Sequence, residues 1–208
     1  MDTTMWAGLL GLGGALVGGF VTFLVGQRAV SAQKARDAEA ESAQVRATLQ
    51  AIRDEVDVLS EVHMAAAGTR IRESSSAAPI GLFYPVSANY FTAFEANADK
   101  IGRIENDVLR RQIIRTYVHF KALFDTIRLN NRFVERLEHA EAVHRATPES
   151  HAPIALNEAA LHWQQTADYA PLLKESNNRA MESAATLALM IDQWLAEPAR
   201  GVGAKPLR

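Results

Sequence analysis

The residues best placed for chemistry sit in one stretch, Glu141-Ala142-Val143-His144, an E-x-x-H. On a helix that spacing puts a carboxylate and an imidazole on one face, the unit that di-iron helical bundles use twice. A second copy is missing, because Glu158 and His162 are four positions apart rather than three. The six histidines otherwise lack ligand spacing, and with no cysteine there are no thiolate metal sites, disulfides or cysteine nucleophile. Ser74, Ser75 and Ser76 have no neighbouring base that the sequence identifies, and no H-E-x-x-H, P-loop, G-x-S-x-G or dinucleotide fingerprint occurs. No metal, cofactor or catalytic residue is therefore expected, and the chain is not expected to be an enzyme.

The other chemically suggestive pattern is Arg128, Arg132 and Arg136, which step by four and so form a stripe on a helix. Such a stripe suits nucleic-acid phosphates or anionic lipid headgroups. Asp125, Glu135 and Glu138 are interleaved with it, and no aromatic stacking platform accompanies it. A solvated, salt-bridged face is the first reading and an anionic-surface contact the second. With a formal net charge of -2, nucleic acid is not an expected partner.

The dominant feature of the chain is Met5 to Gly26, twenty-two residues without a charged side chain. As a helix this run reaches about 33 Å, against a hydrocarbon core of about 30 Å. It reads as a transmembrane helix after a short N-terminus, residues 1–4, and its partner is then the lipid bilayer. A buried core helix of that length would carry a polar stripe. A cleaved signal peptide needs a positive n-region, whereas this one is MDTT, although Val30-Ser31-Ala32 resembles a cleavage site. No Lys or Arg precedes the run, whereas Arg28, Lys34 and Arg36 follow it, so the C-terminal part is expected in the cytoplasm. Inside the run, Ala7, Gly11, Ala15 and Gly19 form one small-residue ridge, and Gly14, Gly18, Thr22 and Gly26 another. Gly14 to Gly18 is a GxxxG, which lets two helices approach closely in lipid. Homo-oligomerisation through Gly11, Gly14, Gly18 and Gly19 is one reading; the general abundance of glycine in membrane helices is the other.

Residues 27–73 contain no proline, and no glycine before Gly68. Val45, Leu49, Ile52, Val56, Leu59, His63 and Ala66 alternate steps of four and three, an a/d seam on a helical stalk. Ala35, Ala38 and Ser42 extend it weakly. The seam either packs on the chain's own later helices, the first choice, or pairs with a sister chain. His63 reads as a hydrogen-bonded filler before it reads as a pH-sensitive register residue. Serines and prolines make residues 74–86 a loop. A helical domain over 87–197 follows: a short helix 87–97 capped by Ser87, and long helices 105–146 and 154–196 forming an antiparallel hairpin. Pro171 should kink or break the last helix near Tyr169 or Ala170. Residues 198–208 read as a disordered tail.

The run from Tyr90 through Phe91, Phe94, Asn97 and Asp99 to Gly102, continuing to Tyr117 and Phe120, resembles a block in small bacterial single-pass membrane-anchored helical proteins of uncharacterised function. The resemblance implies a bacterial cell inner-membrane location with a helical cytosolic part, and it brings no activity. The physical reading beside it is that Phe91 and Phe94 anchor the short helix. Gly102 then permits a turn that Glu95 or Asp99 holds. Together these give an all-α chain whose N-terminal transmembrane helix continues into a stalk packed on a helical hairpin. The expected role is a membrane-anchored interaction or scaffold protein that presents its domain to an unidentified protein partner. The alternative is a phage-type lysis or envelope protein with its helices in the periplasm.

Overall fold

The structure is a computed structural model that describes the backbone of residues 3–87 and 89–197. Side chains are described for residues 26, 27, 30–87 and 89–197. Among the described residues the chain is all-helical, with no strand. Helix α1 is Thr3–His63, followed by a π-helical turn at Met64–Gly68 and by α2, Thr69–Glu73. Two short helices, α3 (Thr92–Ala96) and α4 (Ala98–Ile101), precede the long α5 (Asp107–Ala146) and α6 (Ala152–Ala196). Residues 45–197 form one compact unit, and α1 up to Gln44 belongs to another. No helix among the described residues is long and apolar enough to cross a membrane. The apolar run Met5–Gly26 lies, but for Gly26, outside the residues whose side chains are described, and the tail at 198–208 lies outside the described residues altogether.

The a/d seam lies in the chain's own core. Leu49, Ile52 and Val56 are buried, and Val45 and Leu59 pack against the same cluster. Burying one such aliphatic side chain stabilises by about 1.5–3 kcal/mol. After His63 the heptad step fails. The π-helical turn inserts one residue, so Ala66 is exposed, and Ala67 and then Ile71 take the buried positions. Thr69 stabilises the insertion, donating both its backbone N–H and its hydroxyl, the latter at 2.9 Å, to the Met64 carbonyl. A Cβ on Gly68 would come within 2.5 Å of Met64 Sδ and 3.0 Å of the His63 ring, so glycine is what lets the turn close.

The short helix expected from Ser87 begins five residues later, at Thr92. Ser87 Oγ instead accepts from Asn89 N at 3.2 Å, a local turn, and Phe91 takes a left-handed conformation (φ 75°) while staying buried. The α3 N-terminus is capped from another helix. Glu55 on α1 accepts from Ala93 N (2.7 Å), Phe94 N (3.1 Å) and Thr92 Oγ1 (3.3 Å), and also from the Tyr117 hydroxyl of α5 (2.7 Å). Glu95 and Asp99, expected to hold this region, are exposed; Asn97 does so by donating to Ala93 O at 2.8 Å. Gly102 is right-handed, so its special freedom is not what the turn uses.

Upstream, the loop is pinned to α5 by two buried asparagines. Asn130 donates to the carbonyls of Ile80 (3.2 Å) and Leu82 (3.1 Å). Asn131 both donates to Tyr84 O (2.8 Å) and accepts from Tyr84 N (3.1 Å). Helix α5 starts at an Asn106 cap that accepts from Val108 N and Leu109 N. The α5–α6 hairpin is antiparallel: Thr116 meets Ser183, Thr126 meets Ser176, and the Phe133 ring meets Tyr169. Pro171 does not break α6. It lies on the exposed side, and buried Ala167, Ala170 and Leu173 hold the helix against its neighbours on both sides of it.

Replacing Glu55 by Ala is expected to lower unfolding stability by about 2–3 kcal/mol, summing a lost cap and an orphaned phenol hydroxyl. Tyr117→Phe should cost about 1 kcal/mol. Urea unfolding of the singles and the double should give a coupling of about 1 kcal/mol; strict additivity contradicts the contact.

Candidate functional site

Of the residues suggested by sequence, the structure brings few into a site. Glu141 pairs with Arg145 at 3.7 Å, one turn on, and His144 accepts Thr147 N at its backbone carbonyl. Among the described residues no group of three or more His, Cys, Asp or Glu is placed to hold a metal ion. His162, on the facing helix, interacts with Gln165 of its own helix at 3.2 Å. Nothing here assembles a nucleophile, base and acceptor.

The arginine stripe is divided. Arg128 is engaged by Asp125 at 2.8 Å and by the Ser87 carbonyl at 3.4 Å. Arg132 and Arg136 are exposed and make no ion pair among the described residues. Gly11, Gly14, Gly18 and Gly19 lie outside the residues whose side chains are described. The stalk seam is buried inside the chain and is therefore not an exposed interface.

The arrangement with the most pronounced electrostatics joins α1 to α6 at the π-helical turn. His63, 2% exposed, meets Asn177, 1% exposed, with Nε2 to Oδ1 at 2.7 Å. The asparagine oxygen only accepts, so Nε2 carries the hydrogen in this contact. Its Nδ1 is buried and has no partner. Tyr84 and Phe124 meet the ring edge-on, with centroids at 6.4 and 6.5 Å. Burial pushes the His63 pKa below its usual 6.5, and the Asn177 hydrogen bond only partly opposes that. Beside the pair opens a shallow cleft of about 330 Å³ lined by Met64, Arg72, Asn177, Asn178, Met181 and Glu182. Burial, followed by the hydrogen bond and charge of Glu55, raises the Tyr117 phenol well above its ordinary range, so it stays a donor.

Further links between α1 and α6 lie away from this pair, toward the C-terminal end of α6. Arg53 bonds Asp192 at 3.1 Å and pairs with Asp57. Arg46 donates to the Leu195 and Glu197 carbonyls, closing the C-terminal end of α6, and lies over Trp194 at 5.5 Å. Between α5 and α6, Gln112, Thr116 and Ser183 form a buried polar cluster. Sequence periodicity did not point to Glu55, Asn130, Asn131, Asn177 or this cluster. The only available signal was negative: polar residues on otherwise apolar faces.

Comparison with protein-family models, curated proteins and solved structures returned no match. Among the described residues these polar contacts hold helices together.

The buried imidazole predicts a pH dependence. In the unfolded chain His63 binds its proton at the ordinary value of 6.5, ahead of the folded protein, whose value is lower. Stability is thus intact above pH 6.5 and falls as pH drops through 6.5 toward the folded value. Urea midpoints at pH 7.5 and 5.5 should therefore differ more for the wild-type chain than for His63→Gln; equal losses contradict this assignment.

Proposed function

We propose that the chain is a single-pass membrane-anchored helical scaffold, without catalysis of its own, that holds a compact helical unit at a bilayer for a protein partner. One observation carries the reading: twenty-two uncharged residues, Met5 to Gly26, open a helix that runs without interruption from Thr3 to His63. Charge bias around the run favours a bacterial inner-membrane location with residues 45–197 in the cytoplasm.

Mechanism here means tethering. Confinement to a membrane raises the effective concentration of the helical unit toward anything else at that membrane. The seam residues Leu49, Ile52 and Val56 are covered by the chain's own helices, so they do not serve association between chains. Lateral association then falls to the small-residue ridges that contain Gly11, Gly14, Gly18 and Gly19.

Two measurements bear on separate clauses. A reporter fused after Arg208 should be active only in the cytoplasm; periplasmic activity favours the lysis or envelope alternative. In detergent the full chain should sediment as an oligomer, and Gly14→Leu with Gly18→Leu should reduce it to monomer. An unchanged association state removes the glycine ridges from the mechanism.

A further inference from the structure

The outer face of α5 combines two kinds of exposed side chain. At 100° per residue, Ile114, Val118, Leu129 and Val143 all fall within about 60° of Arg132 and Arg136, in a stripe about 43 Å long in which Leu129 is the apolar residue within one turn of the arginines. The exposures of those four are 48%, 56%, 39% and 40%. The arginines make no ion pair among the described residues, so their charge is available. Three acidic groups share the stripe or its margin: Asp107 is paired with Arg110, Asp125 is neutralised by Arg128, and Glu135 sits about 60° from Arg132. An exposed face with apolar side chains and unpaired arginines on one helix stripe matches a lipid headgroup boundary, where stems and apolar groups dip and guanidinium groups meet phosphate.

Charge elsewhere on the same unit strengthens the choice. The exposed side of α1 carries Asp54 and Glu61, and Asp57 with Asp192 of α6 shares the single Arg53, which leaves one further negative charge there. An anionic surface is repelled there and attracted to α5, so the unit has one preferred side. Nucleic acid would engage the arginines but leave Ile114, Val118, Leu129 and Val143 in water, with no stacking aromatic among them.

We propose that the outer face of α5, through Arg132, Arg136 and the apolar residues around them, docks on the anionic headgroups of the bilayer in which the chain is anchored. This rests on the anchored reading, because one basic face with few apolar groups needs a second attachment for stable residence. The anchor supplies it, and α5 sets which side of the helical unit faces lipid and which is left to a partner.

The chain has no cysteine, so single-site labelling is direct. Full-length Val118→Cys, Leu129→Cys and, as control, Glu61→Cys carry an environment-sensitive fluorophore in vesicles of phosphatidylcholine alone or with one-third phosphatidylglycerol. Probes at 118 and 129 should shift to the blue in phosphatidylglycerol only, reverse on raising salt, and stay in water at 61. Arg132→Gln with Arg136→Gln should lower the docked-to-free ratio about 25-fold, roughly fivefold per arginine. Equal emission in both lipids, an unaltered ratio in the double variant, or an equal shift at position 61 overturns the proposal. A shift in phosphatidylcholine that grows with protein concentration also overturns it, in favour of a second copy covering the face. Flotation separates the two readings. A chain that rises only with phosphatidylglycerol vesicles contradicts the anchor and supports the α5 contact, and one that rises with both vesicles while the probes stay in water overturns the contact alone.

Discussion

The helical unit depends on one carboxylate reaching across three segments. Glu55 sits on α1, yet its acceptors are filled by two backbone amides and a hydroxyl at the start of α3 and by the phenol of α5. Charge-assisted hydrogen bonds of this kind are roughly twice as strong as neutral ones, and a half-buried carboxylate without them would be costly. The helix dipole adds to the effect, because the charge lies at an N-terminus. Immediately before α3 the Phe91 backbone turns left-handed, with its ring against Tyr117 and Phe124 at 5.3 and 5.8 Å. The aromatic cluster and the polar cap therefore specify the same chain path. Asn130 and Asn131 extend that path upstream by supplying α5 amides to a loop with no secondary structure of its own.

Periodicity made the long elements legible. The steps of four and three from Val45 to His63 announce one buried face, and the broad apolar face from Leu109 to Leu137 announces another. Both are averages over many turns, which is why a local irregularity does not erase them. What stayed hidden has the opposite character. The π-helical turn adds a single residue without a proline, and it shows only in Ala67 and Ile71 being buried in place of Ala66. The α3 cap is invisible locally because its acceptor lies 38 positions away from Ala93, while the nearest serine bonds two residues ahead instead. Pro171 misleads in the other direction: its missing donor weakens one bond of a helix held by packing along its whole length.

The candidate chemistry was less legible because little of it involves reacting groups. Glu141, which an isolated motif would give to a metal, is drawn to Arg145, and His63, a plausible switch by residue type, is a buried partner of Asn177. The polar atoms inside the unit are matched to one another, with the His63 Nδ1 and Asn130 Oδ1 among the exceptions. Their work is to define how α1, α5 and α6 fit. Outside, α5 carries more basic than acidic side chains and α1 the reverse, an asymmetry that no motif search detects.

All of this has a biological setting only if the N-terminal run resides in lipid. The most direct measurement is fractionation of bacteria expressing the full chain, followed by an alkaline carbonate wash of the membranes and mass analysis of the protein recovered. The account predicts that the chain stays in the washed membrane pellet with Met5 to Gly26 still attached. Recovery in the supernatant, or a mature chain that starts beyond Ala32, contradicts it.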